Sequence, residues 1–203
     1  MSPFLRSFRL GLAAVALAAV VTACAAPETA KEPFPHAVIT PEPRKDVPAV
    51  TLQAAGGKPF TLEDARGKWV WLYFGFANCP DVCPAAMDDL AAEYKALERP
   101  EEVEVVFVSV DPARDTPDQL AKYVTYYHPD FQGVTGERAA IDALVKPLGI
   151  GYVIDKPAKP GDPYPVSHSN LITVLDPEGR YAATYVPGAE PGKLAEDFNQ
   201  LAP

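Results

Sequence analysis

The rhythm of apolar and polar positions changes several times along this chain, and each rhythm predicts an element. Trp69-Val70-Trp71-Leu72-Tyr73-Phe74 is an unbroken apolar, aromatic run. Its length and β-forming residues predict a central strand buried on both faces. Val103 to Val110, carrying Val103, Val105, Val106, Phe107 and Val108, predicts the next strand. Between them Met87, Leu90, Ala91, Tyr94 and Leu97 recur at helical spacing and predict a helix from Pro84 to Leu97. Thr116-Pro117-Asp118-Gln119 reads as a helix start. Thr116 caps, Pro117 suits the first helical position, Gln119 completes a capping box, and the helix runs to about Tyr127.

Glu137 to Leu148 predicts a third helix, cut short by Pro147, and Lys193 to Leu201 a last one. Val50 to Leu62 folds back at Gly56-Gly57 as a hairpin, and Gly151 to Asp155 is a short strand before a Pro- and Gly-rich loop, Lys156 to Pro165. Leu171–Leu175 and Tyr181–Val186 flank Asp176-Pro177-Glu178-Gly179, a clear turn, as a second hairpin. This order predicts one α/β domain, residues 50–203, with a central mixed sheet and helices on both faces.

The first residues follow a different logic. Arg6 and Arg9 precede a wholly apolar or Gly/Ala run, Leu10 to Val21, and small residues follow through Ala26. Positive flank, apolar run and small-residue exit are the layout of a secretory signal peptide. Val21-Thr22-Ala23-Cys24 resembles the bacterial lipoprotein signal, which implies removal of residues 1–23 and lipidation of Cys24. An uncleaved anchor is the alternative, since the run reaches 17 residues when counted through Ala26. Residues 24–49 then carry Pro27, Pro33, Pro35, Pro41, Pro43 and Pro48 and are expected to be an extended tether without a core. His36 within it is expected to be a solvated side chain. The implied address is the bacterial cell envelope, on the periplasmic or extracytoplasmic side of a membrane.

Charge narrows the function classes. Eighteen Lys and Arg stand against 27 Asp and Glu, a formal charge of −9. A chain this acidic has no broad electrostatic attraction for nucleic acid, which needs basic patches. Gly56-Gly57 belongs to a turn, and no phosphate-cradling Gly-rich loop is present.

The chemistry concentrates in Phe74-Gly75-Phe76-Ala77-Asn78-Cys79-Pro80-Asp81-Val82-Cys83-Pro84. It follows the most buried strand and opens a helix, where α/β folds place their sites. Cys79 and Cys83 are four apart, a spacing that lets two sulfurs converge on a helical turn. With Pro84 at the first helical position, Cys83 is expected near the N-cap, where backbone N–H groups lower a thiol pKa. Two inert, buried cysteines are the plainer alternative. A thioredoxin-type motif has two residues between its cysteines and this one has three. Structural zinc asks for four ligands, and a blue-copper site for two His and one Cys. Soft sulfur donors in low number favour Cu(I), and one imidazole would admit Cu(II). His168 is the better imidazole candidate, although a structural histidine fits its position nearly as well. His128 reads as a helix-end residue. Asp81 serves either the turn or the site's electrostatics, and Asp111, Arg114 and Asp115 are expected to form a structured turn.

These residues also carry a resemblance. Gly75-Phe76 through Cys79-Pro80-Asp81-Val82-Cys83-Pro84 is similar to the signature of the Sco (SenC) copper-chaperone family. Val108-Ser109-Val110-Asp111-Pro112, Arg114-Asp115-Thr116-Pro117, His128-Pro129-Asp130-Phe131, Gly133, Thr135-Gly136 and His168-Ser169 continue it in order. The resemblance implies a thioredoxin-like fold, one copper ion held by Cys79, Cys83 and His168, and supply of copper to cytochrome c oxidase subunit II or another copper protein. It implies a metallochaperone rather than an enzyme. A thiol–disulfide oxidoreductase using Cys79 and Cys83 as its redox pair is the alternative, and copper sensing is a third class. Many members have Asp before the histidine, where this chain has Ser167, which bears on how the imidazole is oriented.

Overall fold

In a computed structural model, residues 33–155, 157, 159 and 162–201 are described. The expected signal peptide 1–23, the lipidation site Cys24 and the first part of the tether lie outside the described residues.

The organising element is β4 (Trp69–Gly75). It pairs in parallel with β5 (Val103–Ser109) and antiparallel with β9 (Ile172–Leu175). The sheet is extended on one side by β6 (Gln132–Val134), parallel to β5, and on the other by β10 (Arg180–Tyr185) and β1 (Lys45–Asp46). The six strands run in the order β1-β10-β9-β4-β5-β6, a mixed sheet.

Both faces of β4 are covered, which is why its sequence is continuously apolar rather than alternating. Trp71 and Tyr73 point into one core with α1 (Val82–Lys95), α2 (Pro117–Tyr127) and α4 (Lys193–Asn199). Val70, Leu72 and Phe74 point into a second core with α3 (Arg138–Val145) and the hairpin of β2 (Leu52–Ala54) and β3 (Lys58–Phe60). Gln119 and Thr116 close the expected capping box on α2. His128 caps the end of that helix, its N–H donating to the Val124 carbonyl, and its ring packs on Tyr94 and Phe131.

The Pro-rich segment departs from expectation. From Pro33 onward it is packed onto the domain, so the boundary expected at 50 lies too late. Phe34 is 2% exposed and wedges between Trp69 and Phe198, at ring distances of 5.5 and 5.7 Å. The Val38 N–H donates to the Thr184 carbonyl, and β1 pairs with β10. His36 is no free linker residue. Its Nδ1 lies 2.5 Å from the fully buried carboxylate of Asp197, which also accepts from the Tyr185 hydroxyl at 2.7 Å. Proline removes backbone donors but leaves side chains free to pack, and here an aromatic ring, a His–Asp pair and a short strand fasten the strap.

A separate small hairpin, β7 (Tyr152–Ile154) with β8 (Val166–His168), stands outside the main sheet.

Candidate metal centre

β4 ends at Gly75, and the chain turns through Phe76–Asp81 into α1. The Cys79 N–H donates to the Phe76 carbonyl at 3.2 Å, closing the turn. The helix begins at Val82, so Cys83 is its second residue and Pro84 its third, two positions later than expected. Cys79 therefore lies before the helix. A turn rather than a helical i,i+4 step brings the sulfurs together, tied by the Cys83 N–H donating to Cys79 Sγ at 3.4 Å.

Gly75 makes room for the second sulfur. A Cβ there would stand 2.8 Å from Cys83 Sγ and 3.1 Å from the Phe107 ring. Under Cys83 lies Tyr73, fully buried, its hydroxyl donating to Asn170 Oδ1 at 2.8 Å. Asn170 is two residues beyond His168, so this bond also ties the histidine segment to the central strand.

His168 arrives from β8. Its Nε2 lies 3.1 Å from Cys83 Sγ. Its Nδ1 lies 3.1 Å from the Ser169 carbonyl. A carbonyl only accepts, so Nδ1 carries the proton and Nε2 presents its lone pair to the sulfur. The backbone thus supplies the orientation that a carboxylate at position 167 was expected to give, and Ser167 faces solvent. The Cys79, Cys83 and His168 donor atoms all lie within 4.8 Å of one another.

Burial sets the proton state. It pushes the Cys83 thiol well above its ordinary range, against a backbone hydrogen bond at Phe76 and contrary to the lowering expected at a helix start. It pushes the His168 imidazole down, which keeps the ring neutral and ready to donate its lone pair. Both sulfurs are free thiols. Two sulfurs and one neutral imidazole suit a soft or borderline metal ion, whose binding would displace the thiol protons.

Around this trio the turn Asp111–Asp115 acts as a brace. Asp115, 1% exposed, accepts from the Ala77 N–H at 2.8 Å, from Asn78 Nδ2 at 3.3 Å and from Ser109 Oγ at 2.6 Å. It thereby holds the loop that carries Cys79. Burial nevertheless raises its carboxyl above the ordinary range. Asp81 is exposed at the start of α1 and makes no side-chain cap bond there. The sequence alone assigned no role to Tyr73, Gly75 or Asn170, although Gly75 lies within the cysteine motif. Only Gly75, a glycine closing an apolar strand beside a cysteine loop, carried a readable signal.

A central strand that delivers a cysteine pair to the start of a helix, with mixed pairing on either side, defines a thioredoxin-like domain, here with an imidazole added from outside the sheet. Within that class the pattern of the SCO1/SenC family matches residues 40–203, and the chain belongs to that family. A Stutzerimonas stutzeri protein whose name marks it provisionally as copper-binding is 34% identical over 179 residues, 87% of this chain and 86% of its own. The mitochondrial SCO2 protein of Saccharomyces cerevisiae is 39% identical over 127 residues, 62% of this chain and 42% of its own. The match thus spans less than half of that yeast relative. The crystal structure of Arabidopsis thaliana ScoI with copper bound superposes with a TM-score of 0.68 at 31% identity, covering 76% of this chain and 96% of that one.

Proposed function

We propose that this chain is a copper metallochaperone. Cys79, Cys83 and His168 hold one copper ion as cargo, and the ion is handed to the dinuclear copper centre of cytochrome c oxidase subunit II. The observation that carries the reading is the convergence of two sulfurs and one imidazole nitrogen within 4.8 Å. Sulfur holds Cu(I), and the imidazole extends the set to Cu(II). Family membership and the copper-bound Arabidopsis relative support the choice of metal. The chain's own part is threefold. The Asp115-braced loop and Tyr73 seat the sulfurs, the Ser169 carbonyl fixes the imidazole tautomer, and the buried Cys83 thiol releases its proton when metal arrives.

The oxidoreductase reading has the free dithiol in its favour. Burial makes the Cys83 thiol a poor attacking group, and a simple dithiol reductant does not require the imidazole beside it. In the proposed setting the protein is a lipoprotein of the bacterial envelope, anchored through Cys24, with the domain outside the cytoplasm. Among the described residues no helix is long and apolar enough to cross a membrane.

The test is titration of the reduced protein with a competing Cu(I) chelator. One copper per chain is expected, and Cys79→Ser or Cys83→Ser should abolish tight binding, because a single remaining sulfur holds Cu(I) weakly. Unchanged affinity in both variants would remove the assignment. Incubation of the loaded protein with metal-free subunit II domain should then move copper to the acceptor, and retention by the donor would argue against delivery.

A further inference from the structure

The two halves of the donor set come from parts of the chain that share no sheet. Cys79 and Cys83 follow β4, whereas His168 ends β8, and among the described residues β7 and β8 pair only with each other. After His168 the chain is tied to the central strand, by the Tyr73 hydroxyl on Asn170 and by Ile172 of β9 paired with Tyr73, whereas the hairpin before it needs a fastening of its own.

The turn between β5 and α2 reaches both halves. On one side Asp115 fastens the cysteine loop through Ala77 and Asn78. On the other, Arg114 and Asp111 take hold of Tyr164, two residues before β8. Arg114 Nη1 donates to the Tyr164 carbonyl at 3.0 Å, and the Tyr164 hydroxyl donates to Asp111 Oδ1 at 2.8 Å. Asp111 is fully buried and also accepts from Arg114 Nε. The guanidinium lies 3.9 Å from the centre of the Tyr164 ring and 5.4 Å from that of Phe76. Phe76 belongs to the cysteine loop and meets the His168 ring edge-on at 5.9 Å. Tyr164, Arg114, Phe76 and His168 thus form a continuous column from the hairpin, through the turn, back to the imidazole.

We propose that the turn Asp111–Asp115 is a latch that sets the distance between His168 and the cysteine pair, with Arg114 and Tyr164 as its moving contact. They are positioning residues and carry no metal. A planar guanidinium is suited to this because it stacks on two rings while its edge donates to a carbonyl and a carboxylate. A lysine keeps the charge but loses both the stacking and the fork. With the latch open the hairpin can lift His168 away and leave two sulfurs, a set that retains Cu(I) and loses the imidazole that Cu(II) requires. This consequence for metal rests on the proposed copper site, whereas the latch itself does not.

Two readouts separate them. In the metal-free protein, the nuclear Overhauser contact between the His168 and Tyr73 rings, which meet edge-on at 6.1 Å, should weaken severalfold in Arg114→Lys, while amide hydrogen exchange at Leu72 and Phe74 in β4 stays unchanged. Tyr164→Ala should behave likewise. Tyr164→Phe, which keeps the ring over the guanidinium, should recover most of the His168–Tyr73 contact, and the β4 amides report that each variant is folded. In the Cu(II)-loaded protein, Arg114→Lys should weaken the sulfur-to-copper absorption as His168→Ala does, and should add nothing in the His168→Ala background. An unchanged His168–Tyr73 ring contact in both Arg114→Lys and Tyr164→Ala overturns the latch while leaving the copper site standing. Copper-free behaviour of the parent overturns the proposed function, and the His168–Tyr73 contact still decides the latch.

Discussion

At the scale of single residues, the site is a packing solution before it is a chemical one. Cys83 Sγ occupies space that only a glycine at position 75 leaves open. Gly75→Ala should push the sulfur off the Cys79 and His168 donors and press on Phe107. Overpacking of this kind costs about 1–3 kcal/mol. We therefore expect a lower midpoint in denaturant unfolding together with at least tenfold weaker Cu(I) retention against a chelator. Wild-type retention in a destabilised variant would mean the sulfur seat tolerates displacement. His168 makes a second residue-scale prediction. His168→Ala should lose the intense sulfur-to-Cu(II) absorption and keep much of the Cu(I) binding, read by optical spectroscopy and chelator competition. The cysteine pair was legible because its spacing stands out in a chain otherwise poor in cysteine. Its proton state was not, since whether helix-end stabilisation or desolvation prevails depends on burial, and Cys83 is fully buried.

At the scale of elements, what could be read were the long periodic segments. β4 and β5 announce themselves by continuous apolar runs, and α2 by its capping box. β1, β6 and β8 have two or three residues each, too few for a period, and exist because tertiary neighbours offer backbone partners. The bond from Arg114 to Tyr164 joins residues fifty apart in sequence, and no local pattern encodes it. The strap was misjudged for a related reason, since prolines mark extended backbone but do not reveal whether it lies on a surface. Its fastenings give testable consequences. Phe34→Ala should cost about 3–5 kcal/mol, as for other buried aromatic deletions, and lower the thermal midpoint. Arg44 meets Asp176 at 3.0 Å, and Arg180 meets it at 2.8 Å. Burial alone would raise the Asp176 carboxyl, but hydrogen bonds from Arg180 and Arg44 outweigh it and hold it below the ordinary aspartate range. The folded value being depressed, this carboxylate stabilises the domain fully above the unfolded value of about 3.9 and loses that contribution as pH falls through the folded one. Stability measured from pH 7 down to pH 2 should therefore drop below about pH 4. The Asp176→Asn variant should show a shallower drop from a lower starting point, and equal slopes would contradict the assignment.

At the scale of the whole molecule, the strap and the metal centre sit at opposite ends of the central strand. Phe34 touches Trp69, where β4 begins, and the cysteine loop leaves from Gly75, where it ends. Seven strand residues span about 20 Å. A chain fastened at the first end presents its donors at the other, which suits a tethered protein that must meet a second protein. Cys24 is accordingly expected to be acylated, and the mature protein to fractionate with membranes. Intact-mass measurement of the native protein checks this, and an N-terminus that retains residues 1–23 would instead identify an uncleaved anchor.

The central claim is that two cysteines and one histidine from separate parts of the chain hold one copper ion. Copper K-edge X-ray absorption of the singly loaded Cu(II) protein tests it most directly. Two sulfur scatterers and a histidine imidazole are expected, with the imidazole signal lost in His168→Ala and one sulfur lost in Cys79→Ser. A first coordination sphere without sulfur, or one that neither substitution alters, would contradict it.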